Sequence, residues 1–107
     1  MAQQLGSSSL RQRTIADETV LRRTRWCTVR EQETEYLVYN NRTDELHLIP
    51  PAGMLVYWLC DGAWDVGELT QILASIFGAE ADDFRQWLER FLGQLLERGI
   101  IEVASCV

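Results

Sequence analysis

The side chains able to do acid–base, nucleophilic or metal chemistry are few: one histidine, His47, and three cysteines, Cys27, Cys60 and Cys106. Covalent catalysis would set an imidazole beside a serine or cysteine nucleophile, and no arrangement of that kind surrounds His47 in the sequence. There is also no glycine-rich phosphate loop and no dinucleotide fingerprint. A strand histidine is most often a surface or half-buried polar residue, with contact to a bound peptide as its functional alternative and a metal role a weaker one. Three cysteines without a CxxC pair suggest neither a disulfide framework nor a zinc site, and they fit a reducing compartment. Cys60 falls within an apolar run, where a small, buried and inert thiol is the default. The sequence therefore predicts a non-enzymatic protein with no cofactor and no metal.

Charge narrows the partners. Residues 1–30 hold six arginines against two acids, a balance of +4, whereas residues 31–107 hold four arginines against fourteen acids, a balance of −10. So acidic a body repels a phosphate backbone, which makes nucleic acid an unlikely partner. The basic arm reads as a solvated tail. The longest apolar run, Met54 to Cys60, falls far short of the roughly 20 residues that span a bilayer, and no secretory signal is visible. A cytoplasmic protein with no membrane partner is expected.

At 107 residues the chain is one domain's worth. Residues 1–20 are expected to be a flexible tail, 21–103 the folded domain and 104–107 a second tail. Trp26–Arg30 and Glu35–Tyr39 are rich in β-branched and aromatic residues and flank a polar turn, which predicts a hairpin. After Asn40–Asp44, residues suited to turn geometry, Glu45–Ile49 makes a third strand that Pro50 and Pro51 stop. From Pro51 the period becomes helical. Leu55, Trp58 and Leu59 share one face of a first helix ending at Asp61-Gly62. Asp65 with Glu68 has the spacing of a capping box for a second helix, which is expected to bury Leu69, Ile72, Leu73, Ile76 and Phe77 before Gly78. Asp82 or Asp83 is expected to cap the third helix, and Gly99 to end it before a short strand at Ile100–Val103. The fold class is α+β and winged-helix-turn-helix-like, a three-stranded antiparallel sheet followed by a three-helix bundle.

The third helix carries an anomaly. Leu88, Phe91, Leu92 and Leu95 form a core stripe, with Trp87 about 60° to one side and Leu96 about 120° to the other at 100° per residue. An arc this wide either buries a broad face or leaves a flank, Trp87 or Leu96, to line a groove.

With these elements in order, the run from Trp58-Leu59-Cys60-Asp61-Gly62 through Asp65-Val66-Gly67-Glu68-Leu69, followed by Ile72-Leu73 and Ile76-Phe77, resembles PqqD-like proteins, the peptide chaperones also called RiPP recognition elements. Leu37–Asn40 and Leu46–Leu48 match the two strands that precede that run. The resemblance covers roughly residues 20–103. A narrower similarity, to PqqD-like members of HPr-kinase-related gene systems (HPr-rel-A), rests on Val38-Tyr39-Asn40 and Leu46-His47-Leu48. The resemblance implies a module that binds the leader segment of a ribosomally made precursor peptide and delivers it to a peptide-modifying enzyme. It implies docking by strand addition beside Glu45, Leu46, His47 and Leu48, with Arg85, Trp87, Leu88, Phe91 and Leu92 as the helix wall. The chain departs from the family pattern at Ile49-Pro50-Pro51, where a polar residue is more usual.

An unpaired strand edge suits an extended peptide, and it suits a second copy of the chain equally, so a homodimer is a further expectation. Two alternatives remain. A winged-helix DNA-binding regulator shares the architecture, but its recognition helix should be basic, and here Arg85, Arg90 and Arg98 face Asp82, Asp83, Glu89 and Glu97. The other alternative is an interaction subunit of a kinase or transferase system.

Overall fold

The computed structural model describes residues 15–105. Two three-stranded antiparallel sheets and three helices make a mixed α+β, winged-helix-like fold. The expected hairpin and third strand form the first sheet, a meander of β2 (Cys27–Glu31), β3 (Tyr36–Asn40) and β4 (Glu45–Ile49) in the order β2-β3-β4. Its register is unbroken from Cys27↔Asn40 to Glu31↔Tyr36 and from Tyr36↔Ile49 to Asn40↔Glu45. The second sheet, β5-β1-β6, was not anticipated. It joins β1 (Val20–Arg23) to β5 (Asp61–Asp65) and to β6 (Ile101–Ser105), with register shifts in both pairings.

This second sheet corrects the expected boundaries. Val20 is in a strand, and the residues before it are fixed by backbone bonds, Val66 N–H to Thr19 O (2.9 Å) and Gly67 N–H to Asp17 O (3.1 Å). The terminal strand also runs on to Ser105. The parts of the two expected tails at 1–14 and 106–107 lie outside the described residues. The first helix, α1 (Pro51–Leu59), ends before Asp61-Gly62, because the chain turns there into β5 to pair with β1.

Helix α1 also buries a different face from the one expected. Met54, Val56 and Tyr57 enter the core, while Trp58 is 47% exposed. No charged or amide side chain interrupts Pro51–Leu59, so hydrophobic periodicity had nothing polar with which to mark the outside.

Helix α2 (Val66–Phe77) starts on the expected capping box. Asp65 Oδ1 accepts from Glu68 N–H (2.8 Å), Glu68 Oε1 accepts from Asp65 N–H (2.9 Å), and Gly78 closes the helix at φ 66°. Leu69 and Leu73 are buried as expected and Ile72 is half-buried, whereas Ile76 and Phe77 are exposed, at 57% and 42%. Helix α3 (Ala81–Glu97) has Glu80 at its N-cap with no side-chain bond, so Asp82 and Asp83 lie in the first turn and act on the helix dipole instead of capping. Of its expected core stripe, Leu88, Leu92 and Leu95 are buried and Phe91 is half-buried, with Phe84 joining the core.

The carbonyls at the end of α3 find donors on the first third of the chain. Asn40 Nδ2 donates to Arg98 O (2.8 Å), Trp26 Nε1 to Gly99 O (3.2 Å), and Thr24 Oγ1 to Gly99 O (2.9 Å) and Ile100 O (3.0 Å). Orphan groups at a helix end are thus satisfied by the meander and by the turn between β1 and β2. Asn40 is wholly buried, and its Oδ1 accepts from Arg42 N–H (2.9 Å) and Thr43 N–H (3.2 Å), so one side chain organises the β3–β4 turn and holds α3 to it.

Candidate peptide-binding site

Among the described residues, the order β2-β3-β4 leaves β4 at an edge of its sheet, with alternate backbone N–H and C=O groups on its outer side unpaired. Side chains alternate across it. Ile49 is buried and His47 lies opposite buried Val38, so Glu45, His47 and Ile49 share the core-side face. Leu46 and Leu48, opposite Tyr39 and Leu37, lie on the other face and are 59% and 58% exposed. That outer face carries a hollow of about 360 Å³ lined by Thr28, Arg30, Leu37, Tyr39 and Leu46.

Helix α3 is tied to α1 and to the end of β3, at two points that flank β4. Near Ile49, the Phe91 ring packs over Gly53, where a Cβ would come within 2.6 Å of Phe91 Cζ and 2.9 Å of Ile49 Cγ2. Near Glu45, its cross-strand partner Asn40 holds the Arg98 carbonyl. The flank of α3 between these ties follows helical spacing, with Trp87, Phe91, Gln94 and Arg98 in one row. Trp87 and Phe91 stack at 5.2 Å with planes 6° apart, and Phe84 (5.4 Å from Trp87) and Phe77 (5.7 Å from Phe84) continue the aromatic series.

The expected site residues therefore separate. The four strand positions lie on one edge, but only Glu45 and His47 of them share the core-side face with Ile49. On the helix, Trp87 and Phe91 stand on that flank. Leu88 and Leu92 are fully buried core. Arg85 is engaged elsewhere, by Asp17 Oδ1 (2.5 Å), Glu89 Oε2 (2.9 Å) and the Ile15 carbonyl. Gln94 and Arg98 were missed because polar residues do not register in a search for an apolar stripe, although their spacing from Trp87 and Phe91 was readable.

His47 Nε2 is buried with no hydrogen-bond partner among the described residues, the nearest carboxylate oxygen, Glu45 Oε1, being 3.7 Å away. Burial pushes the Cys60 thiol up to about 12, the nearby Arg23 opposing that shift only in part, so Cys60 stays protonated and unreactive. Among the described residues no group of three His, Cys, Asp or Glu side chains could hold a metal ion, and no helix is long and apolar enough to cross a membrane.

Two solved structures share this fold. One is described as lasso peptide synthetase B1 complexed with the leader peptide (TM-score 0.67, 16% identity, 78% of this chain and 98% of that chain covered). The other is TbiB1 in complex with the TbiA(beta) leader peptide (TM-score 0.67, 12% identity, 80% and 99% covered). No curated protein sequence matches significantly. The family profile described as coenzyme PQQ synthesis protein D (PqqD) matches residues 35–101, well over half of the sequence, and the chain belongs to that family.

Proposed function

We propose that this protein is a leader-peptide-binding module that takes an extended precursor segment as an added strand on β4 and delivers it to a peptide-modifying enzyme. The observation that carries the reading is the edge position of β4, with α3 held near its two ends through Gly53 of α1 and Asn40 of β3. Unpaired backbone groups supply affinity to any extended peptide, and the side chains beside them supply selectivity. The two structural neighbours, each described in complex with a leader peptide, support the same use of the fold. Its role is binding, and none of its residues is assigned to catalysis. Trp87 and Phe91 offer aromatic surface, and Gln94 and Arg98 add hydrogen-bonding groups to the same flank.

A DNA-binding role is disfavoured by α3 itself. Arg85 is committed to Asp17 and Glu89, which leaves Arg90 and Arg98 among Asp82, Asp83 and Glu97.

Strand addition makes a prediction that requires no change to the protein. Peptides from the short reading frames encoded beside this gene are titrated by fluorescence anisotropy, and a binder is then N-methylated one amide at a time. Affinity should fall at least tenfold at every second position and little in between, because only alternate amides of an added strand face its neighbour. A sensitivity without period two would exclude this docking mode.

A further inference from the structure

An added strand has two faces, and the groove side accounts for only one. The side chains on its other face would lie beside Leu46 and Leu48, which stand on the outer face of β4 at 59% and 58% exposure. Native sheets blunt exposed edges with charge, proline or bulges. Here the two outward positions of the edge strand are leucines, and the apolar surface continues inward through the cross-strand pairs Leu37–Leu48 and Tyr39–Leu46. Neighbouring strands run about 4.8 Å apart, which is cross-strand contact distance for side chains on the same face.

We infer that the ligand is held on both faces: the docked segment carries apolar side chains at outward positions two residues apart, against Leu46 and Leu48, as well as at the positions facing α3. This rests on strand docking at β4 and narrows the ligand class. A segment held only by the groove would alternate apolar and polar residues, whereas one held on both faces is a nearly continuous β-branched, aliphatic or aromatic run over the length of β4, five residues. The occupant of the outer leucines is the peptide itself, because they belong to the edge strand and are continuous with the backbone groups it would pair.

The test uses a display library of fully randomised peptides of roughly ten residues, longer than a typical strand, selected on the wild type and on the double variant Leu46→Thr/Leu48→Thr. Threonine keeps β propensity at two exposed positions, and circular dichroism with thermal melting confirms the fold. The wild type should enrich apolar residues at both parities. The variant should keep the preference at groove positions and lose it at outward ones, with wild-type-selected peptides binding it about tenfold more weakly, as expected for leucine burial lost at the interface. An alternating polar–apolar consensus, or a consensus the double variant leaves unchanged, would overturn the two-faced grip while leaving strand docking intact. If light scattering shows that the variant only dissolves a dimer, with no change in peptide choice, the leucines serve a second copy and the inference is wrong. Failure to enrich any peptide on the wild type would remove the docking reading and this inference with it.

Discussion

Two edge strands, β5 of one sheet and β4 of the other, are built in opposite ways. The outer strand β5 of the second sheet reads Asp-Gly-Ala-Trp-Asp: it carries an acid at each end and a glycine at φ 86°, and its pairing with β1 is irregular. Those are features that discourage a further strand from adding. The outer strand β4 of the meander reads Glu-Leu-His-Leu-Ile, is regular in register, and exposes two leucines. Of these two edge strands one suppresses the hazard and the other leaves it open, and the open one ends near Phe91 of α3 at Ile49. An edge left open next to a protected one is best explained by use.

The contrast depends on α3 being held against the meander, and Asn40 is the strongest tie. Asn40→Ala removes the acceptor for two turn amides and the donor to the Arg98 carbonyl, so unfolding free energy should fall by about 3 kcal/mol, from the loss of partners at a buried site. Asn40→Asp keeps the turn acceptor but turns a carboxylate oxygen toward the Arg98 carbonyl at a fully buried site, so at neutral pH it should be at least as destabilising as alanine. Urea denaturation of the three proteins measures both effects. Equal stability of the alanine variant and the wild type would mean that α3 is held by packing alone.

The second tie makes a prediction opposite in sign to helix propensity. Alanine for glycine inside a helix normally stabilises by about 1 kcal/mol, yet Gly53→Ala would press a methyl against Phe91 and Ile49 and should destabilise by about 2 kcal/mol. Phe91→Leu introduced into that background should recover much of the loss, a coupling that a double-mutant cycle reads directly. If Gly53→Ala raises the melting temperature, the close approach of α1 to α3 is not a constraint, and the closed end of the groove is not where Phe91 places it.

What the sequence disclosed, and what it hid, follows the same division. The meander was legible because its strands carry the propensity signal themselves and its turns use asparagine and aspartate. The capping box at Asp65 was legible because its chemistry is local. The second sheet was not, since β1 is the short Val-Leu-Arg-Arg and β5 carries glycine and two aspartates, and both become strands only through pairing far along the chain. At the site, the edge strand could be named but its faces were not separated, so leucines that point away from α3 were grouped with the histidine that does not. On α3 the periodicity places Leu88 and Leu92 in the core, where they are, whereas the resemblance puts the same two residues in the wall. The polar row-mates Gln94 and Arg98 carry no apolar signal, and the bond that fixes their end of the helix comes from Asn40, far away in the sequence.

The smallest effect on stability is the most direct test of the contrast between edges. Leu48→Lys gives β4 the device that natural edges use, a lysine pointing outward from an otherwise apolar strand. Leu48 is more than half exposed and sits opposite Leu37 at the rim of the sheet, so the change should alter unfolding free energy by no more than about 0.5 kcal/mol. Self-association at high concentration, read by light scattering at two concentrations, should decrease if the bare edge is what brings copies together, because each copy would then present a cation to its twin. A stability loss above about 1 kcal/mol would instead make Leu48 part of the packed core. The openness of β4 would then be a matter of solvent geometry alone, and β4 and β5 would differ in composition without differing in use.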